Sequence, residues 1–449
     1  MRSRNLSLIG GALVAVGLVI ALFAVLAGGP PASDPDPSGA GTSPSPAASG
    51  PAGGIADIDT RVAFWEARVA ANDRDFSSTV ALIDVYLERA RSTGDLADLG
   101  RAQTALDRAR ELEPGGTPAL DLREGQLHFS LHEFGEARDA AQRFLDADPG
   151  NAAGLALLGD SQLELGDEVA AKTAYDALAA KGRLPGILSR LARYASLTGH
   201  VDQAIGLVKE ARDAAEVEGF PEIIAFYDFQ LGELYRSEDL LDDAEAAYQQ
   251  ALDAVPTNVP SLGGLGRVRA AQGRRTEAID LLEQATARLP TPALVADLGD
   301  LYALAGDNQA AERKYALVER IAEVAQATGG VYDRQLVLFL ADHERDIDGA
   351  VARAESEIRR RTDVYGYDAL AWALYRAGRI DEAADAASQA MRLGTPDGRI
   401  LYHAGLIAAA DGRPTDAREL LEEAAMHIAT LPPLQVPALE HALSILTGS

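Results

Sequence analysis

Alanine recurs along this chain at a nearly constant spacing. Ala102, Ala137, Ala171, Ala204, Ala244, Ala278, Ala311, Ala350, Ala383 and Ala417 are separated by 35, 34, 33, 40, 34, 33, 39, 33 and 34 residues. A period near 34 is that of stacked helical hairpins, each too small to bury its apolar face alone. It points to an all-α solenoid, in which every hairpin packs on its neighbours and the array lengthens without one growing core. Strand-like alternation is scarce, so almost no β structure is expected.

The positions around each alanine repeat as well. Twelve residues earlier stands Gly125, Gly159, Gly232, Gly266, Gly299 or Gly405. Seven residues later comes Ala109, Ala211, Ala251, Ala285, Ala390 or Ala424. The small residues let two helices approach closely. Twelve residues after the alanine, Pro114, Pro149, Pro256 or Pro290 stops the second helix, because proline has no N–H to donate. Gly166-Asp167, Gly273-Arg274, Gly306-Asp307 and Gly378-Arg379 read as turns between the helices of a pair.

This layout resembles the tetratricopeptide repeat family over roughly residues 60 to 430. The resemblance is carried by Leu231-Gly232-Glu233-Leu234-Tyr235 with Ala244, Tyr248, Ala251 and Pro256, and by Leu298-Gly299-Asp300-Leu301-Tyr302 with Ala311 and Tyr315. Leu338 and Ala192 stand in the glycine place of two divergent units. The resemblance implies about ten helix pairs in a right-handed superhelix. It also implies a concave surface lined by the first helix of each pair, and protein or peptide binding there. The two long gaps, 40 and 39, imply extended second helices near 213–222 and 321–331.

The N-terminus has a different organisation. Residues 1–5 form a basic tip, with Arg2 and Arg4, and residues 6–27 an uncharged apolar run. At about 1.5 Å per residue this run is long enough to span a bilayer core of about 30 Å. Arg2 and Arg4 before it, and Asp34 and Asp36 after it, place the remainder outside the cell by the positive-inside rule. The expectation is a single-pass bacterial membrane protein of the tethered tetratricopeptide type. A signal peptide cleaved near Ala27, giving a secreted or periplasmic product, is the alternative. Residues 28–55, rich in Pro, Gly, Ser and Ala, read as a disordered tether. The repeat domain is expected over 56–436, opened by a helix at about 58–71. A capping helix is expected within 437–449, with Leu439, Leu443 and Leu446 on one side.

A formal net charge of -27 argues against nucleic acid, whose phosphates need a basic surface. It fits either the solubility of a long exposed array or a preference for basic partners. There is no cysteine, which removes disulfides, thiolate metal sites and lipoprotein anchoring. His128 and His132 are four apart beside Glu133, without a third ligand at motif spacing. No nucleophile–base pair or phosphate loop emerges, so neither enzyme activity nor a cofactor or metal is expected.

The candidate peptide groove is read by helix phase. Its aromatic members are Phe226, Phe229, Tyr332, Phe339, Tyr365, Trp372, Tyr375 and Tyr402, which either line the groove or pack between helices. Its acidic members, Asp160, Glu233 and Asp300, follow the motif glycine, while Arg193 and Arg267 take that place in two other units. Family members that clamp a C-terminal carboxylate use basic residues and asparagine there, so the acids favour a basic or neutral segment. The expected function is an extracytoplasmic interaction scaffold holding a peptide or partner protein. The alternative is an accessory or assembly subunit of an envelope enzyme or polymer-export complex.

Overall fold

The computed structural model describes residues 58–93, 96–328 and 333–447. The tip, apolar run and tether expected over 1–55, and Tyr332 of the groove, lie outside the described residues. Among the described residues there are 22 α-helices, one short 3-10 turn (Ile428–Thr430) and no strand. No described helix is long and apolar enough to cross a membrane.

Helix α1 (Ile58–Ala71) opens the array and buries Val62. Ten helix pairs follow. They are α2 (Phe76–Thr93) with α3 (Leu96–Leu112), α4 (Pro118–Ser130) with α5 (Phe134–Ala147), and α6 (Ala152–Glu164) with α7 (Glu168–Ala179). Next come α8 (Pro185–Leu197) with α9 (Val201–Glu218), α10 (Pro221–Ser237) with α11 (Leu241–Ala254), and α12 (Val259–Ala271) with α13 (Arg275–Arg288). The last four are α14 (Pro292–Leu304) with α15 (Asn308–Thr328), α16 (Asp333–Asp342) with α17 (Ile347–Ile358), α18 (Val364–Arg376) with α19 (Ile380–Ala390), and α20 (Gly398–Ala410) with α21 (Pro414–Met426). A single helix, α22 (Gln435–Thr447), ends the described chain; it begins before the expected capping segment and buries Leu439 completely.

The boundaries follow from the residues. Pro114, Pro149, Pro256 and Pro290 each stand two positions beyond the last residue of α3, α5, α11 and α13. Pro118, Pro185, Pro221, Pro292 and Pro414 begin helices, where the missing N–H costs nothing. The turn glycines Gly166, Gly273, Gly306 and Gly378 all have φ between +68° and +83°, the left-handed conformation that closes a helix. The two long gaps are extended second helices, α9 with 18 residues and α15 with 21.

All ten periodic alanines are interior. Nine are 0% exposed and Ala311 is 3% exposed, so each second helix meets its partner over a methyl group. The motif glycine faces this contact. A Cβ on Gly232 would lie 2.5 Å from the Tyr248 ring, and one on Gly405 would lie 2.7 Å from Leu421. The family spacing is thus a packing rule: small residues where two helix backbones come closest.

The described residues form two bodies. The first comprises residues 58–163 and Asp167–Gly182, and the second Glu164–Gly166 with residues 183–447. The second closes on itself. Thr395 Oγ1 donates to the Leu197 carbonyl at 2.7 Å, across 198 residues, and Thr362 Oγ1 donates to the Leu165 carbonyl across 197. His427 Nδ1 lies 2.6 Å from the Ser237 carbonyl, and Arg236 donates to the Ala429 carbonyl at 2.7 Å. Leu165, Leu197 and Ser237 all lie at the ends of first helices, where carbonyls lack intrahelical partners. The second body therefore completes one circuit in about six repeats and fastens there.

Candidate functional site

Three repeats share one local device. In each, the acid after the motif glycine accepts a hydrogen bond from a tyrosine 15 residues later on the second helix. The pairs are Asp160 with Tyr175 (2.8 Å), Glu233 with Tyr248, and Asp300 with Tyr315 (3.0 Å). The same rings pack on Gly159, Gly232 and Gly299. Burial, with Glu233 beside it, pushes the Tyr248 phenol well above its ordinary range. Burial also disfavours a charged Glu233, but Arg236 beside it holds that carboxyl below its usual value. These three acids, expected to face a ligand, each bond to a tyrosine of their own repeat, Asp300 also facing His343 of the next, and Asp160 and Asp300 are both 3% exposed.

The candidate aromatics divide by exposure. Phe226, Phe339, Trp372 and Tyr402 are buried, whereas Phe229, Tyr365 and Tyr375 are half-buried. Trp372 lies between Tyr375 and His403, stacked at 5.2 Å and 4.1 Å between ring centroids. Its Nε1 donates to Asp342 at 2.8 Å. Phe339 packs on His343 at 4.6 Å and Tyr315 at 5.9 Å. First helices converge so closely that rings pointing out of one helix meet its neighbours. The clearest sign is a hydrogen bond from Gln435 on α22 to Asp342 on α16, three repeats apart.

Along that inner row of first helices, and on α17 and the segment joining it to α18, lie ionic groups that the sequence reading missed. Glu164, with a fully buried side chain, pairs with both Arg193 and Arg361. Arg361 also pairs with Asp363 at 2.5 Å, and Arg334 bridges Asp363 (3.0 Å) and Glu357 (2.9 Å). Burial alone would raise the Asp363 carboxyl; Arg334 and Arg361 hold it far below the usual carboxylate range. Further along, His403 Nδ1 lies 2.8 Å from Asp368, which Arg399 approaches at 3.4 Å. A usable signal existed, since Asp368 and His403 stand 35 residues apart, one repeat period.

Several inner side-chain atoms are buried without a hydrogen-bond partner, among them Gln230 Nε2, Arg334 Nε, Glu357 Oε2 and Gln435 Oε1. Such atoms are costly unless something completes them. His403 is 1% exposed and bonded on both nitrogens, so its role as placed is to orient neighbours rather than to move a substrate proton. His128 bonds to Glu133 at 2.6 Å, while His132 sits in a turn at φ +60° with its ring on Phe134. No group of three His, Cys, Asp or Glu among the described residues is placed to hold a metal ion.

Comparison with known proteins agrees with the repeat geometry. The family description Tetratricopeptide repeat matches residues 122–186 and 369–430, and a second of the same description matches 235–298. No curated protein matches the sequence. Similar solved structures include a human IFIT1 dimer with PPP-AAAA (16% identity, 83% of this chain and 85% of that one, TM-score 0.43). Another is PilW, a type IV pilus biogenesis factor (16% identity, 45% and 92%, TM-score 0.40). A third is a tetratricopeptide repeat protein from Parabacteroides merdae (14% identity, 59% and 100%, TM-score 0.33). With ten stacked helix pairs, an alanine at each crossing faced by a glycine or alanine in every unit but that of Leu338, and these family matches, the chain is a tetratricopeptide repeat protein.

Proposed function

We propose that this protein is a membrane-tethered, extracytoplasmic scaffold that holds a basic peptide or partner-protein segment on the inner row of first helices in its second body. The repeat fold supports a protein–protein interaction role. The observation that carries the finer reading is the polar character of that row. A structural core would be apolar, whereas this row carries Glu164, Arg193, Arg334, Asp368 and His403 on its first helices. An extended peptide has a backbone donor and acceptor at every residue and suits a polar row of this kind. The charge of -27 favours a basic segment. The apolar run at 6–27 supplies the tether, and no chemical step is assigned.

Crosslinking in living cells, followed by mass spectrometry, tests the reading. The expected result is a defined extracytoplasmic partner attached through residues of the inner row. Recovery of cytoplasmic proteins alone, or protection of the repeats from protease added to intact protoplasts, contradicts it.

A further inference from the structure

One side-chain nitrogen joins the first helices α16 and α20 to the terminal helix α22. Gln435 opens α22 and is 6% exposed. Its Nε2 donates to Asp342 Oδ1 at 2.8 Å and lies 3.1 Å from His403 Nε2. Because His403 Nδ1 faces the Asp368 carboxylate, the ring hydrogen belongs on Nδ1, and Nε2 is an acceptor turned towards Gln435. Two acceptors thus converge on one donor.

The amide is a poor match for this arrangement. Gln435 Oε1 is buried with no hydrogen-bond partner. Asp342 is half-buried, accepts from two neutral donors (Trp372 and Gln435), and forms no ion pair with any described residue. The nearby cations are already engaged. Arg399 faces Asp368, and Arg376 pairs with Glu344 while lying 5.4 Å from the Trp372 ring centroid. What remains is a carboxylate that shares the field of Arg399 and His343 but has no cation at ion-pair distance, and an imidazole nitrogen whose one donor is an amide.

We propose that Asp342 and His403 form a cradle for a cationic side chain, the lysine or arginine of a partner segment, and that Gln435 occupies it as an intramolecular stand-in. The proposal rests on the inner-row reading given above. An ammonium or guanidinium group is donor-only, so it satisfies both acceptors and leaves no orphaned oxygen. Asp342 supplies the counter-charge, and the rings of Trp372 and Tyr375 cover the aliphatic stem. A partner must displace Gln435 to enter, which makes α22 a competitor for the site.

Two measurements on the full chain test this. In thermal unfolding, Gln435→Lys raises Tm relative to wild type, Gln435→Met lowers it, and the gain from lysine disappears in the Asp342→Asn background. In fluorescence anisotropy, the probe is a labelled peptide of residues 431–447 carrying Gln435→Lys. It binds the Gln435→Ala protein at least tenfold more tightly than the same peptide carrying Gln435→Glu; if that protein does not fold, wild type shows the same preference at weaker affinity. Equal Tm for the lysine and methionine variants, or equal binding of the two peptides, overturns the proposal. Failure to recover a partner from cells sinks the scaffold reading but leaves the ranking of lysine over methionine intact, so the two failures are distinguishable.

Discussion

The hydroxyl of Thr395 caps the carbonyl of Leu197, nearly six repeats earlier in the chain. With the Thr362–Leu165 contact it fastens the circuit of the second body. Each such bond contributes about 0.5–1.5 kcal/mol. Thr362→Val with Thr395→Val should therefore lower the unfolding free energy by about 1–3 kcal/mol. Amide exchange should accelerate around residues 197–200 and 394–397. Exchange at wild-type rates there would mean that the circuit is held by other contacts.

Helical glycines should divide sharply by location. Gly232→Ala forces a methyl to within 2.5 Å of the Tyr248 ring and should cost about 1–3 kcal/mol. Gly100→Ala, on an exposed face of α3 with nothing within 4 Å of the added carbon, should gain about 0.5–1 kcal/mol from helix propensity. Denaturant unfolding of the two variants checks the contrast, and similar effects would remove the packing account of the motif.

This packing rule was legible in the sequence because it is local. The alanine, glycine and terminal proline each sit at a fixed offset within one repeat, and so does the tyrosine that holds Asp160, Glu233 or Asp300. What could not be read depends on curvature summed over many repeats. Thr362, Thr395 and His427 lie in turns of no fixed motif, and their partners are 190 to 198 residues away. The same curvature buries Trp372 and Tyr402, whose helix phase points outward from their own helices. The Glu164–Arg361 pair is equally invisible without it.

Breaking that pair should be expensive. Glu164 neutralises two arginines in a water-excluded place. Glu164→Gln leaves Arg193 and Arg361 without that countercharge, and removing one partner of a buried pair costs about 3–5 kcal/mol. Calorimetry checks this. A loss below about 1 kcal/mol would place these charges in a hydrated setting.

His343 and Asp300 give the second body a defined pH response. His343 Nδ1 lies 2.8 Å from the Phe339 carbonyl and Nε2 lies 2.9 Å from Asp300, so both nitrogens face acceptors and the pair retains a proton. Burial pushes Asp300 up to about 6, with Asp297 adding and His343 and Tyr315 opposing. Burial disfavours a charged His343, yet Asp300 and the Phe339 carbonyl raise it above its ordinary value. Both shifts mean that the folded state binds more protons than the unfolded chain. The contribution is full below about pH 4 and declines as pH rises through about 6 and past the ordinary histidine value. The stability advantage of wild type over Asp300→Asn should accordingly shrink between pH 5 and pH 8, on the order of 1–3 kcal/mol. An advantage that grows with pH would contradict the assignment. Asp363 acts in the opposite sense: its depressed value stabilises above about pH 4 and is lost on further acidification.

Site-specific photocrosslinking on protoplasts addresses the central claim most directly. One crosslinker replaces Tyr375, half-buried on the inner row beside Trp372, and another replaces Val217, 89% exposed on the second helix α9. The account predicts that position 375 captures an extracytoplasmic partner and position 217 does not. Capture from position 217 with none from position 375 would show that the inner row is not where this protein meets its partner.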